Sequence, residues 1–527
     1  MPFSTGSTSD LVDAIVIGAG MTGLSCAHTL RERGLSVLVL EAGKDVGGVV
    51  GTMETGGFLF ESGPNTVPAS ALNLRKAAAS LGIENQLVTS KPEAGRRYLF
   101  KDGGLHELPS KPGAFLRTPL LSRRAKRKIL SEPFRRYAAP AAGTPEPTFE
   151  AFLTERIGAE ATRTLAGAFV RGVYAAEIEE LGALSAFPRL AAMCAEHGGL
   201  VRGMMARGRA AKKARREGTE VAPPGPRTSP TDLISFTGGF GVLTSAYRRS
   251  LQDAVSLSTP IQEIARGPGG WRAVLETGEA LSCRELVLAV PASSASPLLS
   301  MCTPERLDTS ALDRIKHAAV TAVHLGLEGA PLPPGFGYLV PPDEAARRDP
   351  RTPGVLGTLF ISNIFDGRAP SGTSSITAMF RGGDVADLVG DDLVDRAVVE
   401  LEKALIGYEA VTPGAPERKS RPRVVASRIQ RWTDVIPRYA PGHVNEMAKL
   451  TASLERALPG LHLAGSYIGG VSVDDRIRVG VKTADRIAER LAHLSELRGG
   501  ANQEAEESMG TASVDAGSAE PGRGAAS

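Results

Sequence analysis

The residues with the most specific chemical purpose are three glycines and one acid near the start of the chain. Gly18, Gly20 and Gly23 follow an apolar run, and Glu41 ends the next apolar run. Glycines at this spacing permit a tight turn, a close approach of the backbone to a pyrophosphate, and close packing of a helix on a strand. An acid in the place of Glu41 accepts hydrogen bonds from a ribose hydroxyl pair and disfavours a 2′-phosphate. The pattern therefore predicts that the chain binds a dinucleotide.

A strand, a helix and a second strand must position these residues. The apolar run at residues 14–17 predicts a buried parallel strand, the glycines predict the turn that opens a helix, and residues 37–40 predict the next strand. Phosphate would then sit at the N-terminus of the helix, where free N–H groups and the helix dipole favour an anion. This unit places Ala19, Met21 and Thr22 among the expected dinucleotide contacts, together with the three glycines.

Two further stretches resemble the second half of a known FAD fingerprint. Gly47 and Gly48 follow Glu41, and residues 58–66 have the sequence Phe-Leu-Phe-Glu-Ser-Gly-Pro-Asn-Thr. Both resemble the amine oxidase and phytoene desaturase superfamily, whose members bind FAD. Since residues 465–473 contain no Cys or His, we expect FAD to be bound non-covalently. The resemblance implies FAD contacts at these further positions: Ala42, Gly47, Gly48, Gly63, Pro64, Asn65, Ile261, Ala289, Trp432, Gly465, Val471, Ser472 and Val473.

A more specific resemblance begins at residues 96–109, which alternate around an Asp-Gly turn and predict a β-hairpin. The sequences Arg-Arg-Tyr-Leu-Phe and Gly-Leu-His-Glu-Leu-Pro in this hairpin are similar to the corresponding hairpin of the protoporphyrinogen oxidases, FAD enzymes that make the porphyrin ring of haem aromatic. Matches in compatible order extend over about residues 10–495, at 172–176, 184–188, 236–240, 335–341, 356–360, 365–370, 431–439, 442–443 and 461–467.

The family resemblance implies a reaction and a substrate. The reaction is the oxidation of protoporphyrinogen IX to protoporphyrin IX in haem biosynthesis, by repeated hydride transfer to N5 of FAD with O2 as acceptor and H2O2 as its product. Since the cofactor supplies this chemistry, we identify no catalytic side chain. Arg97 is the candidate clamp for a propionate, because a planar guanidinium matches a carboxylate. Two alternatives stay open: the neighbouring Arg96 is the clamp, or Arg97 is a surface arginine at the edge of the hairpin.

Apolar and small residues would hold the ring itself. By resemblance, Phe365 stacks on one pyrrole ring, and Leu332 and Leu339 cover the other face. Gly172 admits a ring edge where any Cβ would intrude, unless it only terminates a helix. Asn65 completes the expected substrate contacts.

Three positions depart from the residues that are usual in the family. Asp45 stands where an arginine is common, Arg476 stands in the place of a cysteine, and Arg438 in that of a glutamine or similar residue. The first change puts one cofactor contact in doubt, and the other two could alter the substrate.

Three other functions stay open on the sequence. A coproporphyrinogen III oxidase of the same family would act on a substrate with four propionates instead of two. An amine or polyene oxidase of the same fold would lack a carboxylate clamp, and only Trp432 and Tyr439 are evident for the aromatic cage that amine oxidases need. A non-catalytic flavin- and porphyrin-binding membrane scaffold would have no turnover.

The expected fold class is α/β. A Rossmann-type FAD-binding domain is assembled from three chain segments and joined by an antiparallel-sheet substrate domain and a helical membrane-associating domain. The tail is too poor in apolar residues to stay ordered. The predicted boundaries in chain order are 10–90 (FAD, first segment), 91–109 (substrate hairpin), 110–216 (helical), 217–231 (linker), 232–300 (FAD, second segment), 301–440 (substrate), 441–497 (FAD, third segment) and 498–527 (disordered tail).

The net charge of +3 conceals an uneven distribution. Residues 117–136 carry eight Lys or Arg against one Glu, and residues 202–216 carry seven against no acid, so these two segments hold +14 and the remainder −11. Such asymmetry predicts either an anionic membrane surface as partner or two solvated helix faces. No signal peptide or membrane-spanning run is evident. We therefore expect a cytoplasmic protein that is peripherally associated with a membrane.

Composition indicates few other partners. Four cysteines without C-x-x-C spacing and eight histidines without ligand spacing predict neither disulfides nor a metal site. No nucleic-acid partner is expected. A homodimer and hand-over of the product to the next enzyme of haem synthesis are two further partner hypotheses.

Overall fold

The computed structural model describes residues 11–135, 137, 143–217, 225–226, 232–303, 307–347, 354–415 and 421–514. The strands in these residues are β1 Val12–Ile17, β2 Val37–Leu40, β3 Thr52–Thr55, β4 Phe58–Glu61, β5 Val67–Pro68, β6 Leu87–Thr89, β7 Tyr98–Lys101, β8 Gly104–Glu107, β9 Leu233–Phe236, β10 Val255–Ser256, β11 Ile261–Gly267, β12 Gly270–Leu275, β13 Ala280–Leu288, β14 His317–Glu328, β15 Gly337–Leu339, β16 Gly357–Leu359, β17 Ser374–Arg381, β18 Arg423–Pro437 and β19 Leu461–Leu463. The α-helices are α1 Met21–Glu32, α2 Leu72–Ser80, α3 Pro112–Arg117, α4 Arg123–Ser131, α5 Phe149–Ile157, α6 Ala159–Ala161, α7 Ala168–Tyr174, α8 Ala183–Ala186, α9 Pro188–His197, α10 Leu200–Glu217, α11 Gly241–Leu251, α12 Ala292–Cys302, α13 Pro342–Ala346, α14 Ile361–Ile364, α15 Gly390–Val411, α16 His443–Ala457 and α17 Val473–Val514.

The first sheet contains the predicted strand–helix–strand unit. Its strand order is β10-β2-β1-β13-β12-β11, with β19 also paired to β13. β1 lies between β2 and β13 and is parallel to both. Its strands come from three separated parts of the chain, near residues 12–40, 255–288 and 461–463. The predicted α/β class is confirmed, while the predicted domain boundaries stay a prediction.

The two faces of this sheet are both buried, as expected for parallel strands. Ala14 and Val16 of β1 pack in one core cluster with α1 and α17, whereas Ile15 and Ile17 pack in the opposite cluster with α12 and α16. Because alternate residues of the strand face opposite clusters and both clusters are apolar, residues 14–17 form an unbroken apolar run.

Strand β13 is longer than the sequence indicates. Residues 280–283 and 286–290 predict two strands, but the structure has the single strand Ala280–Leu288. Its first half is antiparallel to β12, with Cys283 opposite Trp271, and its second half is parallel to β1 and β19. The polar pair Arg284 and Glu285 would otherwise mark a turn. The strand continues through this pair because its neighbouring strands change there from β12 to β1 and β19.

The second sheet has the order β18-β14-β17-β16-β15-β7-β8 and is covered on one face by α15. The hairpin β7–β8 forms as predicted and lies at its edge. The expectation of a wholly antiparallel sheet is wrong at one pair, because β7 and β15 are parallel, with Tyr98 opposite Tyr338. A long connection joins these two strands, so no tight turn forces them to be antiparallel.

Helices α3 to α10 form a separate layer against the second sheet. Their apolar core includes Phe149, Leu153 and Val170 and extends onto Leu339 of β15 and Ile436 of β18. The helix predicted at 162–173 begins instead with a π-helical segment, Thr162–Gly167, before α7.

The C-terminal helix is longer than predicted. The sequence indicates a helix at 481–491 and a disordered tail from residue 498, whereas α17 runs from Val473 to Val514. Residues 515–527 and most of the predicted linker at 217–231 lie outside the described residues.

Candidate cofactor and substrate site

The glycine loop between β1 and α1 combines two steric requirements with one open position. Gly18 has a φ of +102°, and a Cβ there would lie 2.7 Å from the carbonyl oxygen of Ala289. A Cβ on Gly23 would lie 1.9 Å from the carbonyl oxygen of Gly18. A Cβ on Gly20 would meet no described atom within 4 Å. The first and third glycines are therefore required by the protein itself, and the second leaves backbone open to a ligand.

The N-terminus of α1 is available to an anion. Gly20 caps the helix without any side-chain hydrogen bond, and Met21, Thr22 and Gly23 form its buried first turn. Free N–H groups at a helix N-terminus favour a phosphate. This matches the predicted role of the loop.

Glu41 fixes the loop against the end of β2. Its carboxylate accepts hydrogen bonds from the N–H groups of Ala19 at 2.7 Å and Gly43 at 2.8 Å. The N–H of Gly47 donates to the carbonyl of Ala19 at 2.8 Å, which brings the second glycine pair onto the first. Each carboxylate oxygen keeps a further lone pair for a ribose hydroxyl.

Ala289 and Gly465 lie beside Gly18 at the carboxyl ends of the parallel strands. The N–H of Ala289 donates to the carbonyl of Ile17, and the N–H of Ala464 donates to that of Leu288. A Cβ on Gly465 would lie 2.4 Å from the carbonyl oxygen of Val290. Ligands of open α/β sheets bind at this edge.

Residues 62–65 run past the same site. A Cβ on Gly63 would lie 2.2 Å from the carbonyl oxygen of Val49. The indole N–H of Trp432 donates to the carbonyl of Ser62 at 2.8 Å. Asn65 donates to the carbonyl of Gly63, while its Oδ1 is buried and has no partner among the described residues. A buried acceptor of this kind needs a donor, so the residues fit a bound ligand.

The remaining predicted cofactor residues lie at two other places. Ser472 directly precedes α17 and accepts a hydrogen bond from the N–H of Asp475 at 3.1 Å, while Val473, the first residue of the helix, is buried. Val471 packs against the helical layer. Ile261 starts β11, and Ala42 is exposed at the end of β2.

The predicted clamp lies over one residue of the apolar cluster that contains the predicted stacking residue. Arg97 is exposed, and its guanidinium carbon lies 5.5 Å from the centroid of the Phe336 ring. Phe336 packs in the same cluster as Phe365 and Ile361. Phe336 lies in the matching stretch 335–341, but no sequence pattern marks it as a site residue.

The structure separates the two predicted leucines. Leu339 fills the space beside Gly172, where a Cβ would lie 2.3 Å from its Cδ2 atom. The glycine therefore permits a close helix–strand contact in this structure. Leu332 instead packs in the cluster beneath α15, so it does not share a face with Leu339.

A buried ion pair that the sequence analysis missed connects the two halves of the site. The carboxylate of Glu61 and the guanidinium of Arg368 lie 3.9 Å apart, and both side chains are almost fully buried. Burial raises the pKa of Glu61 to about 7, although Thr52, Arg368 and the N–H of Phe240 favour its charged form. The carbonyl of Arg368 accepts from the N–H of Leu59, which ties the loop after Phe365 to β4.

The departures from the family pattern have visible consequences. Asp45 is exposed and accepts a hydrogen bond from the N–H of Val46. Arg438 pairs with Glu180 at the base of the helical layer. Arg476 points back into the turn that begins at Gly465, where its guanidinium donates to backbone carbonyls.

A glycine loop, a terminal acid and a helix N-terminus at the carboxyl edge of a parallel sheet define a dinucleotide-binding α/β protein. The model of a family described as flavin containing amine oxidoreductase matches residues 21–488. Because this match covers most of its length, the chain belongs to the flavin containing amine oxidoreductase family. The predictions of an oxidoreductase and of FAD as its cofactor are thereby confirmed.

Individual relatives agree with the motif-based resemblance. The chain is 28% identical over 497 residues to the chloroplastic protoporphyrinogen oxidase of Nicotiana tabacum, which covers 89% of this chain and 84% of that protein. It is 28% identical over 505 residues to the coproporphyrinogen III oxidase of Propionibacterium freudenreichii, with 90% of each chain covered. The structure of cyclohexylamine oxidase from Brevibacterium oxydans has a TM-score of 0.64 at 19% identity, covering 92% of this chain and 100% of that one. The predicted similarity to protoporphyrinogen oxidases is confirmed.

Proposed function

We propose that this chain oxidises protoporphyrinogen IX to protoporphyrin IX, with O2 as acceptor. The observation that carries the proposal is the position of Arg97 over Phe336, in the cluster that also holds Phe365. A cation at the border of an apolar wall suits a flat apolar ring with carboxylates at its edge. Relatives named protoporphyrinogen oxidase, at 28% identity over most of the chain, support the same substrate.

The side chains of this chain bind and orient the two ligands. Glu41 and the N-terminus of α1 would hold the ribose and pyrophosphate of FAD without a covalent bond. When bound, FAD supplies the acceptor for the hydride that leaves the substrate. Arg97 would hold a propionate, and Phe365 and Phe336 would exclude water from the ring. No side chain has to move a proton for these roles.

Charge at the substrate wall favours two propionates over four. Lys91 is paired with Asp366 at 2.7 Å, and Arg368 is buried beside Glu61. Of the described cations that border the Phe365 cluster, Arg96 and Arg97 remain exposed. Each carboxylate that finds no cation in the site costs about 1.5–3 kcal/mol of binding. This is why we place coproporphyrinogen III, the substrate named for two of the relatives, second.

Turnover of the two porphyrinogens tests this choice. With FAD-loaded protein in air, kcat/KM for each substrate is followed by the fluorescence of the porphyrin product. We expect protoporphyrinogen IX to be preferred by about tenfold or more, given the cost of unpaired carboxylates. A preference for coproporphyrinogen III would instead support the second candidate.

We also propose that the helical layer holds the protein on an anionic membrane surface. Phe134 is 86% exposed and Leu130 51%, next to the exposed Arg124 and Arg127. Buried Glu132 accepts hydrogen bonds from the first N–H groups of α10, which joins the two basic segments at this corner. Exposed apolar side chains flanked by cations are typical of interfacial binding. Within the described residues, no helix has the length and apolarity needed to cross a bilayer.

Co-sedimentation with liposomes distinguishes the two contributions. Each cation near an anionic surface contributes about 1 kcal/mol, so Arg123→Gln, Arg124→Gln and Arg127→Gln together should weaken binding about a hundredfold at low salt. Phe134→Ser should weaken binding at all salt concentrations. Val389→Ser is the matched control, because Val389 is 66% exposed in a different part of the protein. Equal losses in all variants, or no binding to anionic liposomes, would contradict the proposal.

A further inference from the structure

Arg476 is a buried cation in the first turn of α17. The residue is 8% exposed. Its guanidinium donates to the carbonyl of Gly465 at 2.6 Å and to the carbonyls of Ile468 and Gly470. One side chain thus holds both ends of the turn that leads into the helix. All three acceptors are neutral.

Within the part of the chain that is described, no carboxylate lies within salt-bridge distance of the Arg476 guanidinium, although the charge of Asp475 is near enough to favour its charged form. The adjacent acid, Asp475, is engaged by the hydroxyl of Ser472 and the guanidinium of Arg478. The nearby phenol of Tyr439 donates to the carbonyl of Ser466. The Nε of Arg476 is buried and has no partner there. Burial of a cation without an anion is costly, so the site is suited to an anionic ligand.

The turn held by Arg476 lies beside the glycine loop. A Cβ on Gly480 would lie 2.1 Å from the hydroxyl of Ser25, and further along the two helices Arg33 pairs with Asp485. These two contacts show that α1 and α17 run side by side in the same direction. Their N-termini therefore open together at the carboxyl edge of the sheet, and the positive ends of both dipoles point there.

We propose that Arg476 is a positioning residue of the cofactor site, which fixes the turn at 465–473 and whose charge favours reduced over oxidised FAD. A hydride brings two electrons and one proton, so the flavin ring gains one negative charge on reduction. A fixed cation in a site of low dielectric stabilises that added charge more than it stabilises the neutral ring. The inference rests on FAD as the cofactor and is independent of the substrate.

The test compares the binding of oxidised and reduced FAD. The potential of bound FAD shifts only when a substitution changes the two affinities by different factors. We expect Arg476→Met to weaken reduced FAD about tenfold more than oxidised FAD, which lowers the two-electron potential by about 30 mV. The potential is read from FAD-loaded protein in equilibrium with a reference dye, with no porphyrinogen present.

Two further variants control for structural effects. Arg478→Met removes a cation two residues further along α17 that also donates to the turn, at the carbonyl of Gly469. Because this arginine is paired with Asp475, the potential should stay within the error of the measurement. Arg476→Lys keeps the charge but cannot reach three carbonyls at once, so it should weaken both forms of FAD equally and keep the potential. An unchanged potential in Arg476→Met would overturn the role of the charge. If the Met variant does not fold, a tenfold change in the affinity for reduced relative to oxidised FAD in Arg476→Lys would overturn it, because this variant keeps the charge.

Discussion

The cofactor edge and the substrate wall of this chain place their ligands by different means. At the cofactor edge, backbone atoms leave no room for a side chain, as at Gly23, where a Cβ would lie 1.9 Å from a carbonyl oxygen. At the substrate wall, side chains form the contacts, with exposed Arg97 over Phe336 and buried Phe365 behind it. Changes at the edge should therefore affect FAD binding, and folding as well where the backbone is crowded, whereas changes at the wall should affect the substrate alone.

The largest effect is expected for Gly23→Ala. The added Cβ must push α1 away from the loop, which should lower the free energy of unfolding of the FAD-free protein by about 3 kcal/mol. Gly20→Ala is the matched control, because its Cβ meets no described atom within 4 Å. The control should weaken FAD binding without affecting urea unfolding of the FAD-free protein. Equal stability of the two variants would show that the close contact is not a constraint.

Glu41→Gln should affect the cofactor but not the substrate. The change removes the negative charge of the carboxylate, which accepts hydrogen bonds from the N–H groups of Ala19 and Gly43. Hydrogen bonds to charged groups contribute about 1.5–3 kcal/mol, so we expect roughly ten- to hundredfold weaker FAD binding in an equilibrium titration. With FAD saturating, KM for the porphyrinogen should not change. A changed KM would mean that the two regions are not separable here.

Arg97→Ala should have the opposite selectivity. Loss of a propionate clamp removes binding that ground state and transition state share, so KM should rise more than kcat falls. The expected loss in kcat/KM is roughly ten- to hundredfold. Arg272→Ala is the control, because this exposed arginine lies on β12 of the first sheet and does not border the Phe365 cluster. An unchanged kcat/KM in Arg97→Ala would assign Arg97 to the surface.

The last prediction concerns the pH dependence of stability at Glu61, which connects the two regions through Arg368. Its pKa in the folded protein, about 7, is above the ordinary value of 4.5, so between these values the folded state holds a proton that the unfolded chain releases. This contribution to stability is complete below about pH 4.5 and is lost as the pH rises to about 7, by up to about 1.4 kcal/mol per pH unit. Glu61→Gln should lack this slope in urea unfolding at several pH values. Parallel profiles of the two proteins would refute the assignment.

Local spacing predicted the strand–helix–strand unit at the cofactor edge. Residues 14–41 form one strand–helix–strand unit, so the positions of the glycines and Glu41 follow from neighbours in the chain. The wall depends on contacts between distant segments, which spacing does not reveal. Phe336 reaches Arg97 only because β15 lies beside β7, and Leu332 and Leu339 separate because they enter different clusters.

The role of Arg476 could not be predicted from the sequence, for a related reason. The motif showed an unusual residue but not its acceptors, because these depend on how the turn at 465–470 folds back onto α17. The pair of Glu61 and Arg368 was missed for the same reason, since Glu61 lies on β4 and Arg368 lies in the loop after Phe365, far along the chain.

Anaerobic mixing of the FAD-loaded protein with protoporphyrinogen IX tests most directly whether this chain is a porphyrinogen oxidase. We predict that the absorbance of oxidised flavin bleaches as porphyrin appears, and that admitting O2 restores it. A flavin that stays oxidised with both protoporphyrinogen IX and coproporphyrinogen III would contradict the proposed function and leave a binding scaffold or another oxidase of the same fold.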